Sequence, residues 1–480
     1  MQDTPALPAL SEAKRALLER YRQGTLVAEP ARQVPIPRRA PGAIVPLSYG
    51  QQQLWLVDHL VPEAPVYNEC VTIHLPGPLD GAAFERAFNE IVRRHEIWRT
   101  TFPTIDGQPV QHVHPYSART LPLVDLTALP LEDREAESVR LATVEARQPF
   151  DLAGGPLLRA TLMRLGEQDH RLYLALHHII FDGVAMYQGF LPEVRAIYEA
   201  FLAGQPSPLP EPPIQYADYA VWQRVCVQGA TLEQHLAYWR QRLGGRLPVL
   251  QLPTDRPRPA TETFRGSMLP FALSRELTSA LDDLARGEGC TLYMVLLAAY
   301  TVLLYRYSGQ EDILIGTATA GRNRPELGAM IGYFLTTMVM RTDPSGNPTF
   351  SELLRRVREM TLEGMTHDDV PFDLLVRELQ PERTLTHNPL FQTLLTLEPP
   401  LPVLACGWTL TQMDVETGVS KFDLSLEMDN RPEGLIGRFE YNSDLFDRAT
   451  IERMSGQWRT LLEGIAADPG RPLSALPLLP

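Results

Sequence analysis

The stretch His177-His178-Ile179-Ile180-Phe181-Asp182-Gly183 joins two segments of different periodicity. Before it, Arg171 to Leu176 is apolar and strand-like. After it, Met186, Phe190, Val194, Ile197, Tyr198 and Phe201 recur at helical spacing. The two imidazoles therefore stand where a strand ends, ahead of an Asp-Gly turn and a helix N-terminus. Neighbours on an extended strand point to opposite faces, so one histidine is expected behind the strand and the other toward a cavity. A neutral imidazole accepts or orients a proton near neutral pH. Asp182 is suited to an ion pair with an arginine, and Gly183 allows backbone that a side chain would obstruct. Free N–H groups at the helix start would face developing negative charge. Two other readings stay open on these residues alone. The pair is two satisfied core histidines before an ordinary turn, or a metal site. Opposite facing makes joint ligation improbable, and the other nine histidines show no zinc-like spacing with cysteines.

Composition narrows the class. With 480 residues the chain is too long for one ordinary core, and two lobes of roughly 200 residues each are expected. A hydrophobic fraction of 44% is ample for burial, and no apolar run reaches membrane-spanning length. The N-terminus lacks a signal-peptide core, and Cys70, Cys226, Cys290 and Cys406 lie far apart, so a cytoplasmic protein with reduced thiols is expected. A formal charge of −14 argues against a general nucleic-acid binder, with local basic patches at Arg93-Arg94 and Arg355-Arg356.

Along the chain, residues 11 to 24 suggest a short amphipathic helix, and Pro30 to Pro46 an extended linker. Helices are expected at 82–94, 131–147, 184–203, 231–243, 292–307, 350–365 and 448–465. Strands are expected at 98–102, 110–114, 157–164, 171–176, 312–317, 334–341, 391–397, 422–428 and 435–441, with a hairpin turn at Asp106-Gly107. The Pro-rich connector Gln205 to Pro213 divides the chain. The expected organisation is an N-terminal segment (1–45), an N-terminal lobe (46–213) and a C-terminal lobe (214–480). Mixed elements of this kind predict two α/β sandwiches.

Further segments carry a resemblance. Pro46-Leu47-Ser48 with Gln51-Gln52-Gln53-Leu54-Trp55 comes first, then Arg94-His95-Glu96-Ile97-Trp98-Arg99-Thr100-Thr101-Phe102. Gln215 to Trp222, Ala320-Gly321-Arg322, Ile331-Gly332-Tyr333-Phe334, Val370-Pro371-Phe372-Asp373 and Asn388-Pro389-Leu390-Phe391-Gln392 follow. With the His-His motif, this ordered series resembles the condensation domains of nonribosomal peptide synthetases, whose signature is HHxxxDG. The resemblance implies two lobes, each similar to chloramphenicol acetyltransferase, forming a V-shaped pseudo-dimer with a tunnel between them. It implies an acyltransferase in which a carrier-bound aminoacyl amine attacks an upstream acyl or peptidyl thioester to form an amide. Upstream donor and downstream acceptor carrier proteins would bring the phosphopantetheine arms, with adenylation among the flanking domains. No metal is implied, and no cofactor bound by the chain itself.

Carried over residue by residue, the resemblance makes His178 the catalytic candidate, as base or positioning group. His177 is implied to be structural. Asp182 is implied to pair with Arg99 or, less favourably, Arg94, and Gly183 to line the channel that admits the pantetheine arm. The family commonly has Trp-Ser where Val184-Ala185 stands, Asn where Thr336 stands, and His-Gln where His367-Asp368 stands. Val184, Ala185 and Thr336 are therefore candidate tunnel residues for an unusual donor or acceptor. Alternatives within the superfamily are ester formation and epimerization, the latter disfavoured by the condensation-like later segments. A catalytically silent scaffold that recruits partner enzymes is disfavoured by the intact motif. No carrier attachment motif and no adenylation signature is found. The segment around 11 to 24 is either a junction to an upstream carrier domain or a free chain end.

Overall fold

The computed structural model describes residues 35–381, 386–398 and 407–479. The helix expected at 11 to 24 lies outside the described residues. Elsewhere local chemistry sets the helix starts. Ser48 and Thr349 close capping boxes ahead of Tyr49–Leu60 and Phe350–Met365, and the Asp80 carboxylate caps Gly81–Arg94. Asp106 (φ 51°) and Gly107 (φ 76°) make the expected tight hairpin between Thr104–Ile105 and Gln108–Val113. The apolar helix Leu292–Ser308 is buried along nearly its whole length and ends at Gly309, whose φ is 70°.

Two larger sheets organise the chain. A five-stranded sheet runs Thr409–Thr411, Asn68–Pro76, Asp169–His177, Leu158–Gly166, Leu123–Asp125. A six-stranded sheet runs Thr336–Thr342, Ile313–Thr319, Thr393–Glu398, Leu424–Arg431, Gly434–Asn442, Gly266–Ala272. Each is backed by helices, which gives the mixed α/β architecture. The first sheet takes its edge strand from late in the chain: Thr409–Thr411 pairs antiparallel with Thr72–His74. The core around that sheet also draws on Tyr216, Tyr219, Tyr333, Phe334, Trp408 and Leu410, all beyond residue 213.

Local expectations differ from the structure in three places. Residues 98–102 are not one strand: Glu96–Arg99 forms a 3-10 turn, tied by Thr100 Oγ1 to the Glu96 carbonyl at 2.8 Å, and only Thr100–Thr101 is extended. The linker stretch is docked over its described part. Ile36 and Val45 are buried, Arg39 bonds Asp218 at 2.9 Å, and Val45–Pro46 pairs with Val110 and Gln111. The helix after the His-His motif opens as a π-helix, Ala185–Phe190, before Leu191–Leu202.

Candidate active site

The strand Asp169–His177 ends at His177, and a 3-10 turn, His178–Ile180, takes the next residue out of the sheet. This break separates the two imidazoles. His177 is buried, with Nδ1 accepting from the Ile179 N–H at 3.2 Å and its ring packed against Tyr67 and Phe150. Burial, then the neighbouring His178 and Lys421, push its pKa down to about 3, so it is neutral and structural in its contacts. His178 turns into a cavity of about 1610 Å³ whose walls come from both lobes. Its Nδ1 lies 2.9 Å from the Phe181 carbonyl, which can only accept, so Nδ1 carries the proton. The Nε2 lone pair is left available. Burial lowers the pKa of His178 against the opposing pull of Glu69, which keeps the ring neutral.

Asp182 occupies the junction of the lobes. Its carboxylate accepts from the Ala185 N–H (2.7 Å), the Phe334 N–H (2.9 Å) and Arg322 Nη2 (2.7 Å). Both charged side chains are enclosed, Asp182 at 0% and Arg322 at 5% exposure. The expected partners are thus corrected: neither Arg99 nor Arg94 reaches Asp182. Arg94, at a helix C-terminus, binds the Pro210 carbonyl at 2.7 Å and Glu193 at 3.3 Å, while Arg99 binds the His114 carbonyl. The Asp182 carboxylate faces the later chain, where the Arg322 guanidinium also lies 4.2 Å from the Phe334 ring centroid. The helix-start N–H of Ala185 is taken by Asp182 and so does not face the cavity as a free donor.

The remaining candidates separate by position. Gly183, Val184 and Thr336 line the cavity. Ala185 does not: it is fully buried in the N-terminal core, because the turn that points Val184 outward points its neighbour inward. Sequence reasoning missed the charges around the imidazole. Lys421 Nζ bonds Glu69 Oε1 at 2.7 Å, and Arg438 bonds Glu427 at 2.8 Å. Burial works against the Glu69 charge, but Lys421, His178 and Arg438 outweigh it and hold the carboxyl at about 2. One signal was present: Lys421 is one of two lysines among 44 basic residues. Among the described residues, no group of three or more His, Cys, Asp or Glu is placed to hold a metal ion, and no single helix is long and apolar enough to cross a membrane.

The condensation-domain family model matches residues 43–480. The chain belongs to the condensation-domain family. This condensation domain is similar to part of a linear gramicidin synthase from Brevibacillus parabrevis, with 46% identity over 99% of the chain but only 6% of that relative's length. Among solved structures it is similar to the X-domain from teicoplanin biosynthesis (TM-score 0.80, 29% identity, covering 93% of this chain and 100% of that one). It shares its fold with the first condensation domain of the calcium-dependent antibiotic synthetase (TM-score 0.82, 22% identity, covering 92% of this chain and 100% of that one).

Proposed function

We propose that this condensation domain joins two carrier-bound substrates, the amine of an acceptor aminoacyl thioester attacking a donor acyl or peptidyl thioester to form an amide. The observation that carries the reading is a neutral His178 whose Nε2 lone pair is turned into a cavity shared by both lobes. The donors and acceptors arrive on the phosphopantetheine arms of upstream and downstream carrier proteins, within a synthetase that includes adenylation. Alignment in the enclosed cavity makes the attack effectively unimolecular. As the C–N bond forms, Nε2 accepts or orients the amine proton, the carbonyl is restored, and the donor's thiolate leaves to take up a proton. Gly183 keeps backbone at the cavity wall where the arm passes.

The test is single-turnover condensation with loaded donor and acceptor carriers, comparing the wild type with His178→Ala. The expected loss is about two orders of magnitude. Equal product from both proteins removes His178 from the chemistry. The likeness to the teicoplanin X-domain, whose structure is also known in complex with OxyB, favours one further reading, a scaffold that binds a partner enzyme. Absence of wild-type product across several amine and hydroxyl acceptors, with retained capture of a tailoring enzyme, selects it.

A further inference from the structure

The cavity wall opposite Gly183 carries a carboxyl group that the mechanism above does not use. Glu398 ends the strand Thr393–Glu398, in register with Asp429 on the neighbouring parallel strand, and lines the same cavity as His178. A Cβ on residue 183 would stand 3.0 Å from Glu398 Oε2 and 3.3 Å from Gln412 Nε2, so the glycine leaves room for two polar groups. Gln412 Nε2 in turn donates to the Tyr187 hydroxyl at 3.3 Å.

Among the described residues, no hydrogen bond or ion pair reaches the half-buried Glu398 carboxyl group. The nearby cations are committed elsewhere. Arg431 Nε binds Asp429 at 2.7 Å, Arg438 binds Glu427 at 2.8 Å, Lys421 binds Glu69 at 2.7 Å, and Arg322 binds Asp182 at 2.7 Å. Burial, then Asp429, Glu427 and Asp182, push the Glu398 pKa up to about 8 against the weaker pull of Arg438. At neutral pH the carboxyl is therefore mostly protonated, and a cation docking on this cavity wall would return it to the carboxylate.

We propose that Glu398, with Gln412 and Tyr187, recognises a positively charged side chain on one of the two condensing substrates. This rests on the condensation reading above. A side-chain ammonium fits better than the reacting amine, because an amine held as an ammonium by a carboxylate has no lone pair with which to attack. A neutral amide ligand would gain nothing from Glu398 that a glutamine could not supply, whereas an ammonium supplies the missing counter-ion.

The experiment compares the wild type, E398Q and E398D in two arms. In one, the acceptor carrier bears lysyl or its uncharged isostere 2-aminoheptanoyl, with a fixed neutral donor. In the other, the donor carrier bears N-acetyl-lysyl or N-acetyl-2-aminoheptanoyl, with a fixed neutral acceptor. The wild type is expected to prefer the lysyl group in one arm by about tenfold or more in kcat/KM, and that arm identifies the substrate concerned. E398Q should erase the preference while leaving isostere turnover within about twofold, and E398D should restore part of it. No wild-type preference in either arm, a preference unchanged in E398Q, or an equal fall for both side chains overturns the proposal. If the wild type forms no product with any pair, the condensation reading fails by itself. Calorimetric titration with lysyl- and 2-aminoheptanoyl-pantetheine amides then decides the recognition: tighter lysyl binding lost in E398Q supports it, and equal binding by both proteins overturns it.

Discussion

Burial gives the two adjacent histidines different fates at the scale of the single residue. Both rings lose water, which disfavours the imidazolium, but His177 spends its Nδ1 lone pair on the Ile179 N–H while His178 keeps its Nε2 lone pair toward the cavity. An imidazole in solution is half protonated near pH 6.5. His177 is expected to titrate at about 3, and His178 below its ordinary value. Nitrogen-15 imidazole NMR, with signals assigned through His178→Ala, reads this directly. A His178 midpoint at or above 6.5, or a proton on Nε2, contradicts the geometry. The same shifts bear on stability. The unfolded chain takes up these protons as the pH falls through about 6.5, while the folded chain refuses them. The fold is therefore undisturbed by this pair above that value and loses up to about 1.4 kcal/mol per histidine per pH unit below it. For His177 the loss continues until about pH 3.

Elements with a strong local period were legible in the sequence, and elements defined by distant partners were not. The helix Phe350–Met365 has the bounds its periodicity predicts, and the strands Leu158–Gly166 and Asp169–His177 lie within two residues of their expected bounds at each end. The central strand Asn68–Pro76 was missed because it is buried on both faces and shows no regular alternation. The strand Gly266–Ala272 is likewise absent from the expectations, and so is the helix Arg275–Gly287, although its Ser274 cap and its buried face of Thr278, Leu281 and Ala285 are local signals. The site divides the same way. His178 was legible from its motif, whereas the pairing of Asp182 with Arg322 spans 140 residues and has no local signature. The edge strand Thr409–Thr411 is the extreme case, three residues joining a sheet formed more than 200 positions earlier. Leu410 is 1% exposed in the N-terminal core. Leu410→Ala should therefore cost about 2–5 kcal/mol in urea unfolding. Thr409→Ala, on the exposed side of the same strand, should stay within about 0.5 kcal/mol. Equal, small effects from both would mean that the strand does not close this core.

On the scale of the whole molecule, the two sheets are joined by more than a connector. Asp182 takes two of its three hydrogen bonds from the later chain, and a buried carboxylate stripped of such donors is strongly unfavourable. Tyr216 Oη bonds Ser48 Oγ at 2.8 Å and also reaches the Tyr333 carbonyl, so one hydroxyl ties three stretches of chain together. A Cβ on Gly332 would stand 1.9 Å from the Tyr216 ring, which shows how closely these stretches approach. A fragment of residues 1–213 would therefore expose the faces that Tyr216, Tyr219, Phe334, Trp408 and Leu410 cover, and would leave Asp182 without its arginine. Such a fragment is expected to lack the near-ultraviolet circular dichroism of fixed aromatic packing and to unfold without a cooperative transition. Mixing it with residues 214–480 during refolding should restore both signals, since the missing contacts are noncovalent. A 1–213 fragment that unfolds cooperatively alone, at the denaturant midpoint of the full chain, would mean that the shared core and the Asp182–Arg322 pair contribute nothing to its stability. The cavity that holds His178 would then be formed by docking two finished domains, whereas the shared core requires the lobes and the site to form together.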